Sequence, residues 1–134
     1  MITRRDMLAA AGAGWLAGAL PAIAFPASRG ATPTMYGLIG NMKAVSGQRD
    51  ALIALMLEGI GGMPGCLSYV VARDPADADG IWITEVWDSA QSHKASLSLP
   101  AVQQVIARAK PLIAGFGERR ETEPVGGHGL PQAG

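Results

Sequence analysis

Apolar and polar residues recur along this chain in two periods, which predict four strands and three helices. Alternation with a period of two residues is typical of strands, and apolar residues at helical spacing predict helices. We expect strands at residues 34–45, 66–73, 81–87 and 116–123. A helix is predicted over residues 48–60, and two shorter helices follow between residues 88 and 111. The element order is therefore β-α-β-β-α-β, with the second helical region in two pieces.

Local signals predict where several of these elements begin and end. Asp88 and Gln91 form a capping-box-like start for the first of the two short helices. Pro100 suits the first turn of the helix that follows, and Pro111 ends that helix or kinks it. Residues 74–80 are acidic and rich in turn-forming residues, which predicts a hairpin connection between the second and third strands.

This order of elements is typical of the ferredoxin-like α+β fold, a four-stranded antiparallel sheet with helices on one face. Both faces of the predicted sheet carry apolar residues, because Leu38 and Met42 fall on one face of the first strand and Ile39 on the other. A bare apolar face of this size would be an unusually large exposed patch. We therefore expect a homodimer in which two such faces pack together. The last strand is strongly charged, and we interpret it as a solvated edge or as an arm that reaches the partner through ion pairs.

The N-terminal segment is organised like an export signal. Arg4 and Arg5 precede a weakly apolar run rich in Ala and Gly, and residues 22–24 supply the small residues of a cleavage site. The paired arginines resemble a twin-arginine signal. We therefore expect cleavage after Ala24, a periplasmic location and no stable membrane anchor after cleavage. The alternative is an uncleaved anchor, since about 20 apolar residues span a bilayer, but Pro21 and the glycines make this run a poor anchor.

Composition narrows the class of protein further. The chain divides into a signal peptide at residues 1–24, a linker at 25–33, one domain at 34–125 and a flexible tail at 126–134. Its 134 residues carry 11 basic and 11 acidic side chains, and the 16% of residues that are charged form no basic stripe, which argues against a nucleic-acid partner. Cys66 is the only cysteine, so an internal disulfide and a zinc site built on several thiolates are excluded. The two histidines lack a nearby ligand pattern, and we expect no metal site.

Three motifs resemble the antibiotic biosynthesis monooxygenase (ABM) family. One is the strand-to-helix sequence Thr-Glu-Val-Trp-Asp-Ser at residues 84–89, with His93 after it. The second is the sequence Met-Pro-Gly-Cys-Leu-Ser-Tyr at residues 63–69, which leads into the second strand. The third is the ending at residues 121–127, which looks like that of exported quinol monooxygenases of this group. The resemblance covers residues 35–125 and implies a dimeric α+β barrel.

The resemblance also implies a chemistry. Members of the monooxygenase branch oxidise quinols or polycyclic phenols with O2 and without metal or flavin, so no cofactor is expected and the partners would be a small aromatic substrate and O2. Such chemistry needs a dry apolar pocket, a group that takes the phenolic proton and donors that stabilise the anion. Two alternatives stay open. One is a non-catalytic dimeric barrel that binds a small hydrophobic ligand, and the other is a haem-degrading relative, although residues 102–110 contain no axial histidine.

His93 and Trp87 are the first candidate catalytic residues. His93 shares a helix face with Ala90 and Leu97, and a histidine is suited to proton transfer near neutral pH. The alternative is a histidine that packs at the seam between helix and sheet. Trp87 ends the third strand with an indole N–H that could donate to a substrate oxygen, on a flat surface suited to an aromatic ring. The alternative is a core aromatic, which is also our interpretation of Trp82 on the opposite face.

Asn41 and Tyr69 complete the candidate site. Some family members use an Asn on the first strand together with a Trp at the end of the third, which makes Asn41 a candidate catalytic residue. An amide in the middle of a strand must be satisfied, so Asn41 either orients a ligand or bonds a neighbouring backbone group. Tyr69 is a candidate for substrate binding, with simple packing as its alternative. Glu85 and Arg73 could pair across neighbouring strands, which would be a structural role.

Overall fold

The computed structural model describes residues 34–131 and has the predicted order of elements. The elements are β1 (Tyr36–Ala44), α1 (Arg49–Glu58), β2 (Cys66–Arg73), β3 (Gly80–Trp87), α2 (Ala90–Ser96), α3 (Pro100–Ala109), a 3-10 turn (Lys110–Leu112) and β4 (Ile113–Thr122). The predicted signal peptide, its cleavage after Ala24 and the linker lie outside the described residues. No helix between residues 34 and 131 is long and apolar enough to cross a membrane.

The four strands form one antiparallel sheet in the order β2-β3-β1-β4. Glu85 on β3 lies opposite Leu38 on β1 and opposite Tyr69 on β2. Because side chains alternate along a strand, Glu85 and Trp87 share one face of the sheet with Tyr69. Helices α1 and α2 contact the strands, and α3 packs against α1 and contributes Ala109 to the same core, so the ferredoxin-like α+β fold is confirmed.

Apolar side chains from the sheet and the helices form the core. Its buried members are Ala44, Leu52, Leu55, Ile81, Ile83 and Ala109. The hairpin loop is attached to this core by Arg49 in the first turn of α1, whose Nη1 donates to the carbonyl oxygens of Asp74, Asp77 and Gly80 at 3.3, 2.8 and 3.3 Å. The loop backbone therefore takes its hydrogen bonds from the neighbouring helix, which holds β2 and β3 in register with α1.

Two element boundaries differ from the predictions. Helix α2 is capped by Ser89, whose Oγ accepts from the backbone N–H of Ser92 at 3.1 Å, and the prediction that Asp88 is the cap was wrong. The helix begins at Ala90, so Asp88 lies one residue before the cap, and its backbone N–H donates to the Gly65 carbonyl at 2.8 Å. Strand β4 begins at Ile113, earlier than expected, since glycines interrupt the alternation that marks a strand.

The beginning of β4 is irregular where it passes Asn41. The register with β1 shifts between Gly40 and Met42, which leaves a bulge in β4. Asn41 Oδ1 accepts from the backbone N–H of Glu118 at 2.7 Å and so satisfies a donor that the bulge removes from the ladder. A Cβ on Gly117 would overlap the same amide oxygen, so a larger residue there would displace the Asn41 side chain from its bond to Glu118.

The second face of the sheet carries no helix within residues 34–131. Val70 is 52% exposed there, and Ile39, Trp82 and Val86 are half-buried. Trp82 lies on the face opposite Trp87, as predicted, but it is outside the core and its Nε1 donates to Asp74 Oδ2 at 3.1 Å. An apolar surface therefore remains open on this face.

Candidate functional site

A cavity of about 360 Å³ lies between the sheet and the helices. This volume is within the range of small-molecule sites. Most of its wall is apolar and comes from every helix and every strand of the described domain; the apolar residues include Met42, Leu52, Met56, Met63, Ile83, Val102, Val105 and Phe116. The ionisable side chains in the wall are those of Tyr69, Glu85 and His93. The cavity therefore combines apolar walls with one small group of titratable residues.

Glu85 is at the centre of this polar group. Its Oε1 accepts from Trp87 Nε1 at 2.8 Å, and His93 Nε2 lies 3.9 Å from the same oxygen. The side chains of Glu85 and His93 are only 14% and 17% exposed. A distance of 3.9 Å is too long for a hydrogen bond but is close enough for a strong charge interaction when the imidazole is protonated. The imidazole and the carboxylate therefore lie side by side at the polar end of the cavity.

The local sequence explains how this group is assembled. Glu85 and Trp87 are two residues apart on one strand, so both side chains are on the helix-covered face and the indole reaches the carboxylate. His93 comes from α2, whose start is fixed by the Ser89 cap. Its ring lies 5.4 Å from the Trp87 ring in an edge-on arrangement and 5.4 Å from the Tyr36 ring, tilted by 38°. Two aromatic rings thus hold the imidazole beside Glu85.

The structure brings three of the four predicted site residues together. His93, Trp87 and Tyr69 all line the cavity. Asn41 does not, because it pairs with Trp82 and lies on the other face of the sheet, where it bonds the β4 backbone. Of the two alternatives for Asn41, the bond to a neighbouring backbone group is the one observed.

Trp87 is a core aromatic, the second of the two alternatives predicted for it. The residue is 1% exposed and therefore packs as a core aromatic, although its ring also forms part of the cavity wall. Its N–H donates to Glu85 and is not available to a substrate oxygen in this arrangement. Trp87 thus acts on the site by orienting Glu85.

Tyr69 lies directly opposite Glu85 on the neighbouring strand. Burial, and then the negative charge of Glu85, raise the pKa of the Tyr69 phenol well above its usual range. The hydroxyl consequently keeps its proton at neutral pH and is a hydrogen-bond donor. Cys66 lies nearby, and burial together with Glu85 raises the pKa of its thiol, so it is not activated as a nucleophile.

Glu85 is the residue that the sequence interpretation missed. The predicted pairing of Glu85 with Arg73 was wrong, because Arg73 lies opposite Ile81 and its Nη2 contacts Asp50 Oδ1 at 3.1 Å. A signal was available in the alternation of β3, which puts Glu85 in phase with Ile83 and Trp87 on the buried face. A carboxylate in such a position must be paired or functional, since an unpaired buried charge is strongly unfavourable.

No group of three or more potential metal ligands is present among residues 34–131. The polar end of the cavity contains one carboxylate and one imidazole as its strongest ligands, with a phenol beside them. This donor set is suited to accepting and donating protons.

Comparison with known proteins gives a consistent result. The sequence model of a family described as "Antibiotic biosynthesis monooxygenase" matches residues 35–108. No curated protein matches the chain. The chain is similar to a solved structure of a "putative Antibiotic biosynthesis monooxygenase" from Chloroflexus aurantiacus J-10-fl, with 68% identity and a TM-score of 0.71, over 73% of this chain and 100% of that one.

Two more distant structures share the fold. One, of a "putative antibiotic biosynthesis monooxygenase" from Caulobacter crescentus CB15, is 18% identical over 69% of this chain and 90% of that one, with a TM-score of 0.59. The other, from Nitrosomonas europaea and described in the same words, is 12% identical over 69% of this chain and 89% of that one, with a TM-score of 0.59. At these identities the similarity shows the fold alone.

Proposed function

The chain belongs to the antibiotic biosynthesis monooxygenase family, and from that premise we propose that it oxidises a quinol or similar phenol with O2, without a cofactor, in the cavity between sheet and helices. The observation that carries this proposal is the Glu85–His93 pair at the polar end of an otherwise apolar cavity. A phenol must lose its proton before it can pass an electron to O2, and this pair is the part of the cavity suited to take that proton.

The proton transfer follows from the geometry of the pair. In this proposal the phenolic O–H donates to His93 Nε2, which accepts the proton. The resulting imidazolium is stabilised by Glu85 Oε1, 3.9 Å away, and the carboxylate is held in place by the Trp87 N–H. Tyr69 remains a neutral donor and can stabilise the phenolate oxygen.

The oxidation balances without a further reductant. A quinol and O2 give a hydroxyquinone and water: one oxygen atom forms a bond to a ring carbon, the other leaves as water, and the quinol supplies every electron. The apolar walls exclude bulk water, which strengthens the charge interactions inside and protects reactive oxygen intermediates from side reactions. Met42, Met56 and Ile83 are typical of these walls.

The proposal predicts O2 uptake with hydroquinones in buffer that contains a metal chelator. We expect consumption of one O2 for each quinol, above the rate of quinol autoxidation without protein, and incorporation of one labelled oxygen atom from ¹⁸O2 into the quinone. Oxygen-electrode traces and mass spectrometry of the product are the measurements. Binding of quinols without O2 uptake would contradict the enzyme and support a non-catalytic ligand-binding barrel.

We also propose that the open apolar face of the sheet is covered by a second copy of this chain. The support is the group of apolar side chains of Ile39, Val70, Trp82 and Val86 around Thr84, on a face that no helix of the described domain covers. Burial of such a surface between two identical sheets is favourable and closes a symmetric dimer.

Charge on this face is expected to dissociate the dimer. Val70→Glu places a carboxylate on the apolar surface, where it must lose its hydration upon pairing, so we expect a shift from dimer to monomer in sedimentation velocity. Val125→Glu is the matched control, because Val125 is 72% exposed and lies outside the sheet. A wild-type protein that sediments as a monomer, or equal dimerisation of both variants, would contradict this interface.

A further inference from the structure

The polar residues that the strands contribute to the cavity lie at one of its ends. Glu85 and Tyr69 lie at the level of Leu38 in β1, whereas Met42 lies four residues further along that strand and pairs with Phe116 of β4. At about 3.3 Å per residue, the two levels are about 13 Å apart along the strand. Beyond Glu85 and Tyr69, the strands contribute only apolar side chains to the cavity wall.

The cavity has an apolar rim. Three apolar residues that line the cavity are exposed and form this rim, Phe116 by 74%, Leu97 by 46% and Ile106 by 40%. Phe116 is the member of the rim that lies at the level of Met42. The β4 bulge that Asn41 and Gly117 stabilise lies directly next to Phe116 and fixes the backbone there. Large apolar side chains that are exposed around a cavity mark a site of interaction with an apolar ligand.

The polar end has an acceptor for a ligand hydroxyl. Glu85 Oε1 accepts from Trp87 and lies 3.9 Å from His93 Nε2, the atom to which the phenolic hydroxyl donates in the proposed function. The methionines of the cavity wall have flexible, polarisable side chains that adapt to ligands of variable shape.

We propose that the ligand of this cavity is a phenol or quinol with an extended apolar substituent. Its hydroxyl donates to His93 Nε2 beside Glu85, and its substituent runs past Met42 and leaves the cavity between Phe116 and Ile106. The assignment rests on the proposed function for the chemistry of the head group. The direction of the substituent rests only on the distribution of polar and apolar residues in the cavity.

A series of para-alkylphenols tests this assignment by binding alone. Measured anaerobically by calorimetry, the Kd is expected to fall by about two- to fourfold for each added methylene, the upper value corresponding to about 0.8 kcal/mol of burial. The gain should stop once the chain passes Phe116. The para-alkylanisoles, which lack the hydroxyl donor, should bind at least tenfold more weakly than phenols of equal chain length. A Kd that is independent of chain length would overturn the proposal.

The rim is tested by Phe116→Ala. This variant should raise the Kd of a long-chain phenol by about tenfold and leave the Kd of phenol itself unchanged, because only the long chain reaches the rim. Leu57→Ala is the matched control, since Leu57 is 47% exposed on α1 and does not line the cavity. Equal effects on short and long ligands would contradict the path. If Phe116→Ala fails to fold, the chain-length series on the unmodified protein still decides.

The two proposals fail in distinguishable ways. Chain-length-dependent binding without O2 uptake would contradict the proposed oxidation and support the proposed ligand class. Turnover of small quinols, with a Kd that does not depend on chain length, would contradict the extended substituent and support the oxidation.

Discussion

Replacement of His93 by Ala is expected to lower kcat for quinol oxidation by about 10²–10⁴-fold, the usual contribution of a general base. The imidazole is the basic group that lies next to the Glu85 carboxylate in the cavity, so its loss leaves the phenol protonated and unreactive toward O2. KM should change much less, since the apolar walls that bind the substrate remain. Initial rates of O2 uptake at saturating quinol measure the effect.

The matched control for this substitution is His128→Ala. His128 is exposed in the C-terminal segment and is not part of the cavity wall, so the rate should be unchanged. His93→Gln serves as a second variant, because the amide preserves much of the packing between Tyr36 and Trp87 but cannot take up a proton at neutral pH. If His93→Gln is folded and turns over quinols at the wild-type rate, His93 is not the base.

The fold was predictable because strong local signals agreed with the tertiary structure. Strand β2 begins at Cys66 and ends at Arg73 as predicted, since its β-branched and aromatic residues are bounded by Gly65 and by the turn that starts at Asp74. Helix α3 begins at Pro100, as predicted, because the proline ring fixes a backbone angle that suits the first turn of a helix. β4 was predicted less well, because its irregular register is set by contact with β1 and leaves no period in the sequence.

The site was only partly predictable, because its assembly depends on register. Strand alternation alone placed Asn41 on the face opposite Met42 and placed Trp82 opposite Trp87. It could not show which face of β1 is continuous with which face of β3 in the sheet. Asn41 pairs with Trp82 in the sheet, so both side chains lie on the face without helices and Asn41 does not reach the cavity. Register likewise separates Glu85 from Arg73, so a residue interpreted as structural lies at the centre of the site.

The pair formed by Glu85 and Trp87 connects the stability of the domain with its proposed chemistry. A half-exposed carboxylate would interact weakly with a substrate, whereas a carboxylate in a dry cavity interacts strongly but must be compensated. Trp87 supplies that compensation through its N–H and also fills the core with its ring. The same side chain therefore stabilises the fold and keeps Glu85 in position beside His93.

Trp87→Ala is expected to lower the free energy of unfolding by about 3–5 kcal/mol, since it opens a void in the core and also leaves Glu85 without its donor. Trp87→Phe retains most of the ring and removes only the N–H, so the loss should be about 1–3 kcal/mol. Urea denaturation at fixed protein concentration measures both, with the midpoint expected to fall and the m-value to stay constant.

A double-mutant cycle isolates the hydrogen bond from the packing. In a Glu85→Leu background no carboxylate remains to be satisfied, so Trp87→Phe should then be nearly neutral and the coupling energy should be about 1 kcal/mol or more. Trp82→Phe is the matched control, because Trp82 also donates its N–H to a carboxylate, that of Asp74, on the opposite face of the sheet. The change in unfolding free energy caused by Trp82→Phe should be the same with and without the Glu85 carboxylate. If Trp87→Phe is equally destabilising with and without the carboxylate, packing alone explains Trp87, and Glu85 must be held beside His93 by another contact.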